Sequence, residues 1–162
     1  MNESEELLPV VDENDVVQEV RQRGEIHSLG LLHRAVHVLV FDGQGRLYLQ
    51  RRSANKDTHP GKWTTSASGH VDPDEDYAGA ATRELAEELG LNLALKEVGM
   101  IAACPRTENE FTRVFRSLTS REPIPNPAEI AEGRWFTLPE ARELARDLKR
   151  ACPSLGAVLE FV

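Results

Sequence analysis

Glu84, Glu87 and Glu88 stand at i, i+3 and i+4, with Arg83 beside the first of them and Glu75 upstream. At about 100° per residue, this spacing puts the three carboxylates on one face of a helix. Like charges that close destabilise a helix unless something positive lies among them. A hard divalent cation such as Mg²⁺ (or Mn²⁺) takes oxygen ligands and suits the cluster. Such an ion neutralises phosphate oxygens and lowers the pKa of a bound water, which a neighbouring carboxylate then deprotonates. The competing interpretation is a solvated acidic helix face, the commonest fate of a charge run.

The elements around the cluster must hold it rigid. Asp72 or Asp74 is expected to cap the helix, with Pro73 in the turn before it. Ala78, Ala81, Leu85 and Leu89 form an apolar stripe offset from the carboxylates, and Gly90 suits the left-handed helix end. Arg83 is expected to pair with Glu75. Upstream, residues 7–11 and 16–20 are expected to form a hairpin around the acidic turn 12–15. Residues 21–32 are ambiguous between a loop and a short helix. Residues 34–41 alternate Ala35, His37 and Leu39 against Val36, Val38 and Val40, and the turn 42–45 leads to a strand over 46–50. Residues 53–68, rich in polar residues, Gly and Pro, are expected to be a long functional loop. Strands are expected at 95–103, 111–119 and 135–137, and helices from Thr137 or Pro139 to about residue 150 and over 154–161. The sum is a mixed central sheet with helices on its faces, an α/β/α sandwich with an N-terminal hairpin.

The chain has 162 residues and a formal charge of −8, which suits one domain and argues against binding a nucleic-acid polymer. A small phosphorylated substrate remains compatible, because bound cations invert the local charge. Arg51, Arg52 and Lys62 are the candidates to bind it, and Trp63 or Phe111 to stack on a base. Cys104 and Cys152 have no metal-type spacing. The acidic start lacks the pattern of a signal peptide, and the apolar run 35–41 is too short to span a bilayer, so no membrane is expected and cytoplasm is the simplest home. A homodimer stays open.

The segment 69–91 resembles the Nudix box. The family pattern is Gly, five residues, Glu, seven residues, then Arg-Glu-aliphatic-any-Glu-Glu-any-Gly-aliphatic. Gly69, Glu75, Arg83, Glu84, Leu85, Glu87, Glu88, Gly90 and Leu91 fill every defined position without an insertion. The resemblance implies a single Nudix domain over 1–162 with a hairpin extension at 1–24. It also implies a metal platform in which Glu84, Glu87 and Glu88 are ligands or base, with the Gly69 carbonyl as a further ligand. Glu129 and Glu132 compete as base.

The flanking runs LLHRAVHVLVFDGQGRLYLQRRS and HPGKWTTSASGHV look like type I isopentenyl diphosphate isomerase and its nearest hydrolases. That family holds a metal with histidines before the first core strand, one after the box glycine, and a Glu-x-Glu pair. The resemblance implies His27 or His33, His70, Glu108 and Glu110 as an alternative metal set. Two departures stand out: the isomerases carry a catalytic cysteine just before the box glycine, where this chain has Ser68, and their box is commonly degraded where this one is intact. A hydroxyl is a poorer acid than a thiol. The leading expectation is therefore metal-dependent hydrolysis of a diphosphate linkage in a nucleoside diphosphate derivative. An isopentenyl diphosphate isomerase-like activity is the alternative, and a non-catalytic nucleotide-binding module the second.

Overall fold

A computed structural model describes residues 2–162. β1 (Leu7–Val11) and β2 (Val17–Gln22) form the antiparallel N-terminal hairpin, and α1 (Arg23–Leu29) occupies the segment that pattern left ambiguous. Leu8, Val10 and Ile26 bury together and fasten this unit to the rest of the chain. A hydrogen bond from the Val11 amide to the Leu32 carbonyl continues it toward the main sheet.

That sheet is built on β3 (His33–Phe41), whose alternation has two buried destinations. Val36, Val38 and Val40 meet Ala80, Ala81, Leu85 and Leu89 of α2 (Tyr77–Leu89). Leu39 and Phe41 meet Leu144 of α3 (Leu138–Ala145) and Leu155 and Leu159 of α4 (Pro153–Leu159). A strand buried on both faces, with helices above and below, is the expected three-layer sandwich. One edge of β3 runs parallel to β8 (Glu110–Leu118), which pairs in turn with β7 (Lys96–Ile101).

The other edge of β3 carries the feature that makes the site. β4 (Leu47–Arg52) pairs with β3 only at Phe41 and Leu47, then diverges to pair with β9 (Ile130–Phe136). Into the opening V run β5 (Trp63–Thr64) against β4 and β6 (Ala67–His70) against Ala35–Val38 of β3. At the apex the buried Ser66 hydroxyl accepts from the Val40 amide at 2.8 Å and donates to the Tyr48 carbonyl at 2.5 Å. One side chain thus replaces the ladder bonds that the diverging strands no longer exchange.

Several boundaries differ from expectation. Residues 53–68 are not one loop but include β5 and the first two residues of β6. The cap of α2 is Asp76, which accepts from the Gly79 amide at 2.7 Å. Asp74 instead takes a left-handed turn conformation, and the Asp72 amide is engaged by Glu75. Ala78 of the predicted stripe is exposed, and Tyr77 and Ala80 are buried in its place. α3 stops at Ala145, because the chain turns at Asp147 to bring Ala151 into a parallel bridge with Trp63. No helix among the described residues is long and apolar enough to cross a membrane.

Candidate active site

The carboxylates of α2 face β6 across the floor of a cavity of about 230 Å³. Gly69 lies so close to Glu84 that a Cβ there would overlap the carboxyl group. Arg83 ties the unit together. Its guanidinium donates twice to Glu75, at 2.8 and 2.9 Å, once to Glu84 at 2.7 Å, and once to the His70 carbonyl at 3.0 Å. The expected Arg83–Glu75 pair is therefore a bidentate fork that also grips the sheet. Glu88 is buried and accepts from the Gln50 side chain at 2.7 Å and the Ser68 amide at 3.1 Å. Burial raises the pKa of both Glu84 and Glu88, and for Glu84 the Glu88 charge adds to it despite Arg83. Glu88, pushed toward the neutral form with Glu87 beside it at the cavity rim, is a group that a cation would return to the charged form. Gly90 closes the helix at φ +65° as expected.

A second cluster occupies the adjoining wall. His27 of α1, His33 of β3 and His70 of β6 bring ligand atoms within 4.8 Å of one another. Glu110 of β8 reaches in from behind, 2.7 Å from His70 Nε2 and 3.3 Å from His33 Nε2. Although burial pushes the Glu110 carboxyl up, His33 and His70 hold it well below the usual carboxylate range. His33 Nδ1 lies 2.9 Å from the Leu31 carbonyl and is therefore the N–H donor of that ring. Its Nε2 is left buried without a hydrogen-bond partner among the described residues, as is His27 Nε2. Unpartnered imidazole nitrogens grouped around a carboxylate fit a divalent cation, and the nitrogen-rich set suits a borderline ion such as Mn²⁺ better than Mg²⁺.

Besides Arg83, three cations line the same cavity: Arg23, Arg52 and Lys56. Of the sequence candidates only Arg52 is among them. Arg51, its strand neighbour, points to the opposite face and pairs with Glu132 at 3.4 Å. Lys62 donates to the Leu148 carbonyl at 2.8 Å, outside the cavity. Glu129 lines the cavity and pairs with Lys56, whereas Glu132 does not line it. Trp63 is packed edge-on against Phe136 and Phe111 is buried, so neither is free to stack on a base. Glu108 sits at the rim, 2.9 Å from His59, rather than in the histidine cluster. Gln50 and Arg23 were missed, and neither a lone strand glutamine nor an arginine in an ambiguous segment carries a signal in sequence.

His37 borders the cavity and gives a pH prediction. Burial pushes its imidazole down to about 4, and its Nδ1 lies 2.7 Å from the Thr65 hydroxyl. The unfolded chain takes up a proton near pH 6.5 that the folded one refuses, so stability is full above that value and is lost as pH falls toward 4. His37→Gln should flatten the stability profile between those values by roughly 3 kcal/mol in urea titrations. An unchanged slope would remove His37 as its source.

The model described as NUDIX domain matches residues 31–155. The chain belongs to the Nudix family. Isopentenyl-diphosphate Delta-isomerase 2 of Photorhabdus laumondii is 37% identical over 145 residues, which span 86% of this Nudix chain and 82% of that protein. Isopentenyl-diphosphate Delta-isomerase of Nocardia farcinica is 41% identical over 139 residues, spanning 82% and 79%. Among solved structures, DR0079 from Deinococcus radiodurans superposes with a TM-score of 0.84 at 28% identity, covering 96% of this chain and 98% of that one. These relatives overturn hydrolysis of a nucleoside diphosphate derivative as the leading expectation, since those at 37% and 41% identity are named isomerases. The intact box misled because carboxylates at that spacing do not say which bond of a bound molecule changes.

Proposed function

We propose that this Nudix protein is a metal-dependent isomerase of an isopentenyl-type diphosphate, shifting a double bond by proton transfer. The observation that carries the reading is the His27–His33–His70 cluster around Glu110, sharing one cavity with the box carboxylates. The names of its relatives support it. The histidine–Glu110 set and the Glu87–Glu88 pair would hold divalent cations, whose positive charge would bind and orient a diphosphate, while Glu84 keeps its proton. Arg23, Arg52 and Lys56 take the remaining phosphate oxygens through charge-assisted hydrogen bonds.

Moving a double bond needs one group to deliver a proton to carbon and another to remove one. Removal falls to Glu110, which His33 and His70 keep ionised and which lines the cavity. Ser68 stands where the isomerases carry a thiol and is too weak an acid to replace it. Delivery falls to Glu84, whose raised pKa keeps a proton available and whose carboxyl lies against Gly69, next to Ser68.

Incubation of the protein with isopentenyl diphosphate and Mn²⁺ or Mg²⁺ in deuterated water tests this. Deuterium at carbon, detected by NMR or mass spectrometry, is the expected result, with Ser68→Cys speeding its appearance. Complete absence of exchange with both ions would sink the reading.

A further inference from the structure

Residues 2–6 run across the rim of the cavity, as a 3-10 turn over Glu3–Glu5 capped by Asn2. Two of their carboxylates reach the cavity cations. Glu6 lies 3.2 Å from Arg23 Nη1, and Glu3 accepts from Lys56 Nζ at 3.1 Å and from the Asp57 amide at 3.3 Å. Glu3 and Glu6 both line the cavity. The strap satisfies the guanidinium only in part: Arg23 Nε is buried and has no partner among the described residues. Two separate side chains cannot reproduce the paired oxygens of a phosphate against the fork of an arginine.

Besides these charges, the segment is held at its end by a backbone bond from the Arg23 amide to the Glu6 carbonyl at 2.7 Å. No residue of the 3-10 turn is buried, and its contact with α1 is a close approach at Gly24, where a Cβ would come within 3.1 Å of the Ser4 Cβ. A segment fixed by exposed polar contacts belongs to the least stable part of a fold. Asp57 and Glu129 contact the same cations from the other side, so Arg23 and Lys56 keep partners when the strap leaves.

We propose that residues 2–6 are an internal anionic strap that occupies the Arg23–Lys56 site and is displaced by the diphosphate of the substrate. This rests on the assignment of those two cations to the diphosphate. Binding is then a competition within the chain, and an empty cavity is kept covered by its own acidic residues.

Inorganic pyrophosphate is the probe, titrated calorimetrically at low ionic strength into the full chain. Glu3→Gln/Glu6→Gln should bind it about tenfold more tightly. Gly24→Val leaves every charge in place but pushes Ser4 away, and should tighten binding in the same direction. Hydrogen exchange at the amides of residues 3–6 should accelerate when pyrophosphate is added to the unmodified protein. Unchanged or weaker binding by both variants, with Arg23→Gln/Lys56→Gln weakening it, overturns the strap and leaves the diphosphate site standing. Undiminished binding by Arg23→Gln/Lys56→Gln overturns the site itself, and the strap with it.

Discussion

Glu110→Gln is expected to lower isomerisation of isopentenyl diphosphate by about a thousandfold while the protein stays folded. The substitution keeps the shape of a side chain that is 8% exposed, so packing is preserved. What disappears is the charge facing His33 and His70 and the oxygen pair that takes up a proton. Affinity for the divalent ion should fall as well, because one ligand loses its charge. Measuring turnover at saturating Mn²⁺ separates the two effects: recovery of full turnover there would leave Glu110 as a ligand with no part in proton transfer.

Gly69→Ala should behave in the opposite manner to an ordinary packing defect. The new methyl group would overlap the carboxyl end of Glu84, and β6 cannot yield because Gly69 is paired with Val36. The Glu84 carboxyl must therefore swing out and lose its 2.7 Å bond to Arg83. Rotating the end of a flexible side chain costs the fold only about 1 kcal/mol. The displaced carboxyl, however, is the group assigned to deliver the proton, and misplacement of that size lowers turnover by about a hundredfold. A small shift in the urea midpoint together with a large loss of deuterium exchange is the expected pair. Normal exchange in this variant would remove Glu84 from the proton path.

How far the residues alone could lead is seen by comparing α2 with β5 and β6. The helix was legible because Leu85 and Leu89 repeat at helical spacing and Gly90 ends it in the left-handed region. β3 was legible because it alternates, although both of its faces turned out to be buried. β5 and β6 were not: they span two and four residues, and each exists only because β4 or β3 offers it an edge. Edges supplied from far along the chain leave no local mark. The same limit separates Arg51 from Arg52, since strand register decides which of two adjacent guanidinium groups enters the cavity. His27 joined the cluster through α1, in a stretch without a clear period. The reaction was the least legible of all, because carboxylates at helical spacing declare an ion-binding platform and nothing about which bond of the bound molecule changes.

The Ser66 hydroxyl, spanning the gap between Val40 and Tyr48, has a bearing beyond its two hydrogen bonds. It works as the hinge pin of a pair of jaws: β3 carries histidines on one jaw and β4 carries Gln50 and Arg52 on the other. Anchoring at the pivot fixes the angle between them. The size of molecule admitted is thereby decided at the pivot, by a residue that does not itself line the cavity.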